Sequence, residues 1–277
     1  MDEAFPPHGT YAPSLLTRIV LALSQNTPLG RGKARKMMAA CVRRLSGQEI
    51  DTTLFGQNVR LHMHNNSSEI KALMNPRKYS RAEFAFCRRH LPQEAPVFVD
   101  VGANAGLFSL GMVGRMGSGK LIAAEPQPDL FERLSLNLTH LNAARGAGPE
   151  IYLHNIALGA EAGTLSLSVP EQLGQASARK LDGASAMTVR VRPLLAILQE
   201  AELAHVDVMK IDVEGYEDEI ILPYIAQAPE SLWPRAIVLE HCHRDRWQED
   251  CEAGLIKAGY RLADKDRTNI MLARDGA

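Results

Sequence analysis

The chain has 277 residues, of which 45% are hydrophobic and 23% are charged, and its formal net charge is −1. A chain of this length buries a core without disulfides or a structural metal. The near-zero charge argues against wholesale nucleic-acid binding, and no apolar run reaches the ~18 residues of a membrane-spanning helix. The start MDEAFPP lacks the pattern of a secretory signal, and four scattered cysteines predict reduced thiols, so we expect a cytoplasmic protein.

Residues 1–50 are predicted to form a basic helical extension. Positions 4–48 contain no Asp or Glu but hold seven Arg or Lys residues. Their pattern predicts two helices, over residues 13–24 and 33–45, separated by a Pro-Leu-Gly breaker. The extension therefore differs in charge from the rest of the chain.

Residues 51–95 predict a hairpin near Gly56, followed by a helix over residues 81–91, and they lead into a third segment, 96–277. In that segment, short apolar runs rich in Val and Ile alternate with helical stretches. The runs are Val97–Val101, Leu121–Ala124, Ile151–Asn155, Val206–Ile211 and Ala236–Leu239. This alternation predicts an α/β protein with a mostly parallel sheet covered on both faces by helices.

Two features depart from that alternation. Residues 164–169 alternate like an extra strand, and residues 170–186 are small and polar, which predicts a long loop over the site. The final stretches, 260–263 and 269–273, predict a closing antiparallel pair.

The first motif with chemical content is the turn that follows Val97–Val101. Asp100 ends the predicted strand, and the sequence Gly102-Ala103-Asn104-Ala105-Gly106 leads into a helix. Glycines let the backbone approach a ligand closely, and Asn104 tolerates a positive φ. Because the turn lacks the full G-x-G-x-x-G spacing, it favours a nucleoside without a pyrophosphate over a dinucleotide.

Two further motifs lie at the ends of the next two strands. Glu125-Pro126 follows Gly102 by 23 residues, the position from which a carboxylate accepts hydrogen bonds from ribose hydroxyls. The stretch after the third strand is placed to flank an adenine ring. Its residues are Asn155, Ile156 and Ala157.

The fourth strand carries Lys210, Asp212 and Glu214 at alternating positions, so an extended chain puts all three on one face. A lysine in a buried strand needs a partner. Two interpretations stay open: a lysine–carboxylate pair that only holds the end of the sheet, and a set of groups around reacting atoms.

The fifth strand ends in Glu240-His241-Cys242-His243. A histidine titrates near neutral pH, so His241 or His243 is a candidate general base. A His-x-His pair also invites a metal interpretation, but no third histidine has suitable spacing, and we expect no metal. A surface histidine is the other alternative.

Taken in order, DVGANAG, AAEP, HNIALG, MKIDVEGYE and VLEH resemble the FkbM family of S-adenosylmethionine-dependent methyltransferases, over about residues 53–273. The resemblance implies a three-layer, Rossmann-like class I methyltransferase fold with a seven-stranded sheet, here preceded by the helical extension. It also implies S-adenosylmethionine as the cofactor.

The resemblance assigns expected roles to individual residues. The expected cofactor-binding residues are Asp100, Gly102, Ala103, Asn104, Gly106, Glu125, Pro126, Asn155, Ile156, Ala157 and Asp212. The expected catalytic residues are Asp212, His241, Glu214, Glu240 and Lys210. His241 ranks first as the base by its basicity near pH 7 and Asp212 by its position, and the sequence does not choose between them.

Family members are commonly O-methyltransferases, so we expect methylation of a hydroxyl on a small-molecule or glycan acceptor. Two alternatives stay open: an NAD(P)-dependent oxidoreductase and a methyltransferase-like scaffold that binds without turnover. The basic extension has three interpretations, namely a solvated helical face, a site for an anionic acceptor, and a contact with an anionic membrane. The sequence leaves the oligomeric state open.

Overall fold

The computed structural model describes residues 5–143, 146, 148–169, 173 and 185–274. In these residues the helices are α1 (Leu15–Asn26), α2 (Gly32–Ser46), α3 (Ser67–Met74), α4 (Arg81–His90), α5 (Leu107–Val113), α6 (Pro128–Leu138), α7 (Leu194–Glu200), α8 (Asp218–Gln227) and α9 (Cys251–Lys257). The strands are β1 (Glu49–Leu54), β2 (Gln57–His62), β3 (Val97–Val101), β4 (Lys120–Ala124), β5 (Glu150–His154), β6 (Ala157–Gly159), β7 (Gly163–Val169), β8 (Ser185–Pro193), β9 (Val208–Ile211), β10 (Ala236–Glu240), β11 (Arg261–Lys265) and β12 (Asn269–Ala273).

The central sheet has seven strands in the order β11-β12-β10-β9-β3-β4-β5. The five strands from β10 to β5 run parallel, and β12 runs antiparallel to both of its neighbours. The order reverses between β3 and β9, which is the point at which sheets of this kind bind ligands, beyond the carboxyl ends of the strands. The predicted class I methyltransferase fold is confirmed.

Alternate residues of β3 belong to two separate buried clusters, one on each face of the sheet. Phe98 joins a cluster that also contains Leu21 of α1 and Val42 of α2. Val97 and Val99 join the second cluster, with α7, α8 and α9. This alternation produces three layers, and it places the basic extension against the same face as α4, α5 and α6.

A buried ion pair anchors the start of the chain to the β1–β2 hairpin. Arg60 donates to Asp51 at 2.8 and 3.0 Å, and its guanidinium lies over the ring of Tyr11. The backbone amides of Gly9 and Tyr11 donate to the same carboxylate. Although burial opposes ionisation, these hydrogen bonds lower the pKa of Asp51 below its ordinary value.

Two elements were not predicted. Helix α3 begins after Asn66, whose side-chain oxygen accepts hydrogen bonds from the amides of Ser68 and Glu69. A second, three-stranded sheet has the order β6-β8-β7, so the predicted strand 164–169 is paired rather than isolated. The predicted loop over residues 170–186 lies largely outside the described residues.

None of the helices in the described ranges combines the length and apolar character needed to cross a bilayer. All four cysteines carry free thiols; Cys87 and Cys251 are buried, and Cys41 and Cys242 are exposed.

Candidate functional site

A cavity of about 600 Å³ lies at the carboxyl edge of the central sheet. It brings together most of the residues expected from the sequence. Those that line it are Gly102, Ala103, Asn104, Glu125, Pro126, Ile156, Ala157, Lys210, Asp212, Glu214 and Glu240. Four expected residues are not part of its wall: Asp100, Gly106, Asn155 and His241.

The two glycines of the first motif allow close packing against different neighbours. Gly102 has a φ of +77°, and a Cβ there would overlap the carbonyl oxygen of Asp212 at the end of β9. Gly106 has a φ of +80°, and a Cβ there would lie 2.7 Å from a methyl carbon of Leu134 in α6. Gly102 therefore lets the loop approach the end of β9, whereas Gly106 serves the packing of α5 on α6.

Asn104 holds the middle of this loop in a left-handed conformation, with a φ of +55°. Its side-chain oxygen accepts hydrogen bonds from the amide of Ala105 and from the side chain of Asn66, at 2.8 and 2.6 Å. Asn66 is fully buried and also caps α3. The loop is thus fixed from outside the motif by a residue that the sequence analysis did not single out.

Glu125 is buried at the bottom of the cavity and accepts two backbone hydrogen bonds. The amides of Asn104 and Gln127 donate to separate oxygens of its carboxylate, each at 2.9 Å. A carboxylate has about four acceptor positions, so two remain for a ligand. Burial raises the pKa of Glu125 to about 7, against the lowering effect of the two amides.

Asn155 acts on Glu125 rather than on the cavity. Its side-chain amide donates to the carbonyl oxygens of Glu125 and Pro126, at 2.9 and 3.2 Å. Ile156 and Ala157 do line the cavity and provide an apolar wall. Asn155 is therefore a positioning residue, which corrects its expected place beside the ligand.

Lys210 lies between two carboxylates under the cofactor loop. Its Nζ is 3.1 Å from Asp212 Oδ2 and 3.6 Å from Asp100 Oδ1. Asp100 also accepts a hydrogen bond from Ser109 at 2.6 Å and is completely buried. Burial alone lowers the pKa of Lys210, but the two carboxylates more than offset this and raise it above its ordinary value. Asp100 therefore serves to hold Lys210 and α5.

The segment after β9 is held in an uncommon backbone conformation. Glu214 has a φ of +56° although it is not a glycine. The carboxylate of Glu217 accepts hydrogen bonds from the amides of Val213 and Gly215 and from the indole of Trp247. These contacts fix the turn that points Glu214 into the cavity, and such strain is typical of functional sites.

Glu214 and Glu240 are largely buried carboxyl groups, and their pKa values lie above the ordinary value. Burial, together with the charges of Asp212 and Glu217, raises the pKa of Glu214 to about 8. Burial, together with Asp212 and Glu214, raises the pKa of Glu240 to about 10. Oε2 of Glu240 is buried and has no hydrogen-bond partner in the described part of the chain. A protonated Glu240 can therefore donate a hydrogen bond to a bound molecule.

The structure separates the two histidines of the fifth motif. His241 does not line the cavity, and its Nε2 lies 3.0 Å from the carbonyl oxygen of Asp266. His243 lines the cavity, and its Nε2 lies 2.9 Å from Glu214 Oε2. Burial and the charge of Arg246 lower the pKa of His243. His243, and not His241, therefore faces the cavity, and the expected role of His241 as a base stays a prediction.

Several donor atoms of the cavity lie close enough to contact one cation. Single oxygens of Asp212, Glu214 and Glu240 lie within 4.8 Å of one another, as do donor atoms of Glu240, Cys242 and His243. The expectation of no metal stays a prediction.

Some of the wall comes from residues that the motifs did not predict. Leu165 and Leu167 of β7 face the cavity, and so do Thr268 and Asn269 near the start of β12. Their signal in the sequence is weak, because single leucines in an alternating strand and polar residues in a turn are common. The basic extension contributes Arg31 and Arg35, which compositional bias alone did not place at a site.

The chemistry of this wall fits a nucleoside. Glu125 has two acceptor positions free for ribose hydroxyls, and Ile156, Ala157 and Leu158 offer an apolar surface for a base. A Cβ at Gly102 would press against the end of β9, so the loop keeps its backbone close to both β9 and the ligand space.

Comparison with known proteins agrees with this chemistry. The model of the methyltransferase FkbM domain matches residues 100–262. The methyltransferase sdnD of Sordaria araneosa is 32% identical over 205 residues, which cover 62% of this chain and 76% of that protein. The hexuronic acid methyltransferase AglP of Haloferax volcanii is 28% identical over 129 residues, covering 47% of this chain and 50% of that protein.

Among solved structures, the magnesium protoporphyrin IX methyltransferase of Synechocystis, with bound S-adenosylmethionine, aligns with a TM-score of 0.42 and 12% identity, over 94% of this chain and 97% of that one. The family match covers more than half of the chain and includes the cofactor loop, Glu125 and the β9 motif. The chain therefore belongs to the FkbM family of methyltransferases, and its cofactor is S-adenosylmethionine.

Proposed function

We propose that the protein transfers a methyl group to a hydroxyl oxygen of a sugar or of a secondary-metabolite-like acceptor. One observation carries this proposal: Asp212, Glu214 and Glu240 share a single cavity with the nucleoside-binding features around Glu125. A proton-accepting group and a cofactor pocket on one wall are what methylation of a weakly nucleophilic hydroxyl requires.

In this proposal Glu125 accepts hydrogen bonds from the ribose, and Ile156 and Ala157 contact the adenine. S-adenosylmethionine supplies a methyl group already activated on a sulfonium, so the transfer is an in-line displacement. The protein must then hold the acceptor oxygen about 3 to 3.5 Å from the methyl carbon. The loop from Gly102 to Gly106 positions the methyl donor, and the wall formed by Asp212 and Glu240 positions the acceptor.

We assign the role of general base to Asp212. Glu214 and Glu240 have raised pKa values, so at neutral pH they hold protons and cannot accept another. Asp212 is paired with the ammonium of Lys210 and lies directly below the cofactor loop. A correctly placed base contributes about 10²- to 10⁴-fold to the rate. Protonated Glu240 would donate a hydrogen bond that orients the acceptor.

A sugar acceptor has support from the relative AglP, whose name specifies a hexuronic acid. A scaffold that binds the cofactor without turnover would also keep the features around Glu125, and an assay of methyl transfer separates it from an enzyme. The NAD(P)-dependent oxidoreductase, the other alternative from the sequence, disagrees with membership of a methyltransferase family.

The test compares Asp212→Asn with the wild type in two measurements. Methyl transfer from labelled S-adenosylmethionine to a panel of sugars is followed by mass spectrometry, and binding of S-adenosylhomocysteine is followed by calorimetry. We expect kcat to fall by about 10²- to 10⁴-fold while the Kd changes by less than about threefold. Equal rates for both proteins would refute the role of Asp212, and cofactor binding without transfer to any hydroxyl would favour the scaffold.

A further inference from the structure

The cavity extends beyond the proposed methyl-transfer site to the turn between α1 and α2. This outer part is lined by Arg31 and Arg35 of the basic extension, by Lys71 of α3, and by Lys78 just before α4. The carboxylates of the cavity come from other elements, at or beyond the ends of β4, β9 and β10, and from α4. The cationic and the acidic side chains that line the cavity thus belong to different elements of the fold.

A second cavity of about 340 Å³ adjoins the first and shares Arg31, Asn75 and Lys78 with it. It adds two more cationic side chains, Arg77 and Arg81, and no Asp or Glu is part of its described wall. The cationic region is therefore continuous across both cavities.

These cations lack counter-charges within the described residues. None of the side chains of Arg31, Arg35, Lys71 and Lys78 takes part in an ion pair or side-chain hydrogen bond there. Of these four cations, Arg35 is half-buried and the other three are exposed. A group of like charges that faces a cavity favours the binding of an anion, because arginine and lysine form charge-assisted hydrogen bonds with carboxylate and phosphate oxygens.

The polar neighbours of the cations suit the same ligand. Ser67, Ser68, Asn75 and Ser80 line the cavity beside them and supply neutral hydrogen-bond donors. Donors from an extension, a helix and a loop converge on one opening, so the region can contact several oxygens of one group at once.

We propose that the acceptor carries an anionic group, a carboxylate or a phosphate, that binds to Arg31, Arg35, Lys71 and Lys78 while its reacting hydroxyl lies at Asp212. This inference rests on the proposed hydroxyl methylation. It gives Arg31 and Arg35 of the basic extension the second of the three interpretations that the sequence left open, and it makes these four residues determinants of acceptor specificity.

The first experiment tests anion binding without turnover. Arg31→Gln/Lys78→Gln removes two cations that line both cavities, and Lys33→Gln/Lys36→Gln removes two exposed cations of α2 that line neither. Each protein is saturated with S-adenosylhomocysteine and titrated with inorganic phosphate at constant ionic strength, with the melting temperature as the readout.

We expect phosphate to raise the Tm of the wild type and of Lys33→Gln/Lys36→Gln equally, and to raise that of Arg31→Gln/Lys78→Gln much less. Equal shifts in all three proteins, or no shift in any, would overturn the inference. Melting curves without phosphate show that each variant is folded.

The second experiment compares acceptors that differ in charge. Wild type and both double variants are assayed with glucose, glucuronic acid and glucose 1-phosphate, so carboxylate and phosphate are tested separately. We expect a higher kcat/KM for at least one charged acceptor, and a 10-fold or greater loss of that preference, through KM, in Arg31→Gln/Lys78→Gln alone. Transfer without any charge preference would refute this inference and leave the proposed function standing. A positive phosphate titration without transfer to any hydroxyl would refute the proposed function and leave the anion site standing.

A second inference comes from the outer face of α1. Its side chains that point away from the protein are almost all apolar, and the exposed fractions of Leu15, Leu16 and Ile19 are 77%, 55% and 50%. Arg18 is the one charged residue of α1, and the buried side chains of this helix, such as Leu21, point the opposite way. Eight of the ten large hydrophobic residues that the described structure exposes lie between residues 11 and 45.

An apolar side of α2 would be built on Met37, Met38, Cys41, Val42 and Leu45. Val42 is instead fully buried and Met38 packs against the core, so the apolar face that remains outward is mainly that of α1. Residues 4–48, which include both α1 and α2, contain seven Arg or Lys residues and no Asp or Glu. Exposed apolar side chains in a segment rich in cations match the chemistry of an anionic lipid surface.

We infer that the outer face of α1 binds to the surface of an anionic bilayer. The full-length protein is sedimented with vesicles of phosphatidylcholine, with and without phosphatidylglycerol. We expect binding only to the anionic vesicles, lost in Leu16→Ser/Ile19→Ser and retained in the control Ile256→Ser/Leu262→Ser, whose residues are also exposed. Absence of binding at low salt, or self-association that Leu16→Ser/Ile19→Ser abolishes, would overturn the inference in favour of a second copy of the chain.

Discussion

The proposed role of Glu125 predicts that the affinity for S-adenosylhomocysteine depends on the charge of this residue and therefore on pH. Two of its acceptor positions are taken by the amides of Asn104 and Gln127, and two remain for ribose hydroxyls. A hydrogen bond to a charged group contributes about 1.5 to 3 kcal/mol. Glu125→Gln keeps one acceptor oxygen and loses the charge, so we expect a loss of about 2 to 3 kcal/mol, or about 30- to 150-fold in the Kd of S-adenosylhomocysteine.

The pH dependence follows from the raised pKa. Burial places the pKa of Glu125 near 7 in the free protein, and the ionised form is the better acceptor for two hydroxyls. Protons therefore compete with the ligand as the pH falls through 7. We expect the wild-type Kd to be about tenfold weaker at pH 6 than at pH 8. Glu125→Gln, which has no proton to bind, should show no such dependence.

The test is a calorimetric titration of the wild type and of Glu125→Gln with S-adenosylhomocysteine at pH 6 and pH 8. The control is Asn66→Ala, which removes the hydrogen bond to Asn104 and disturbs the same loop without lining the cavity. It should weaken binding while keeping the pH dependence of the wild type. The reasoning is refuted if Glu125→Gln binds as tightly as wild type, or if its affinity falls with acid as the wild-type affinity does.

Three further predictions concern other charged groups. Glu240 has a pKa of about 10 and is already neutral at pH 7, so Glu240→Gln should keep kcat within about threefold of wild type; a loss above about 100-fold would show that it acts as a carboxylate. Treatment with EDTA should leave methyl transfer unchanged, and activity that is lost and then restored by Mg²⁺ would identify the carboxylates near Asp212 as a metal site. Asp51→Asn leaves Arg60 buried without its counter-charge and should cost about 3 kcal/mol in urea unfolding at pH 7. Because the folded pKa of Asp51 is lowered, its stabilisation is present above about pH 4 and is lost in acid, so the two proteins should converge in stability as the pH falls towards 3.

The central sheet was predictable because its strands are continuous apolar runs between helices. Val97–Val101 was predicted with the bounds that the structure has, and the other core strands differ by one or two residues. The helix α3 was missed since it spans only eight residues and its start depends on the side chain of Asn66, a contact that no periodicity reveals. The sheet β6-β8-β7 was missed because β8 pairs with a strand more than 15 residues away along the chain.

The site was predictable to the extent that strand ends meet at one edge of a parallel sheet. That rule predicts that Glu125 and Asp212 lie at one cavity, but it does not predict the direction of a side chain that follows a strand. His241 and His243 are two residues apart and equally basic by type, yet one contacts the carbonyl of Asp266 and the other contacts Glu214 in the cavity. Asn155 likewise turns back to the chain beside Glu125.

The electrostatics of the cavity depend on contacts that a sequence does not contain. Burial and neighbouring carboxylates raise the pKa values of Glu214 and Glu240, and the Nζ of Lys210 lies 3.1 Å from Asp212 Oδ2. The cations Arg31, Arg35, Lys71 and Lys78 have no ion-pair partner among the described residues and lie on other elements than Asp212. An anionic acceptor would therefore bind with its charge at these cations and its hydroxyl at Asp212. The basic extension would in this way select both the acceptor and the oxygen that is methylated.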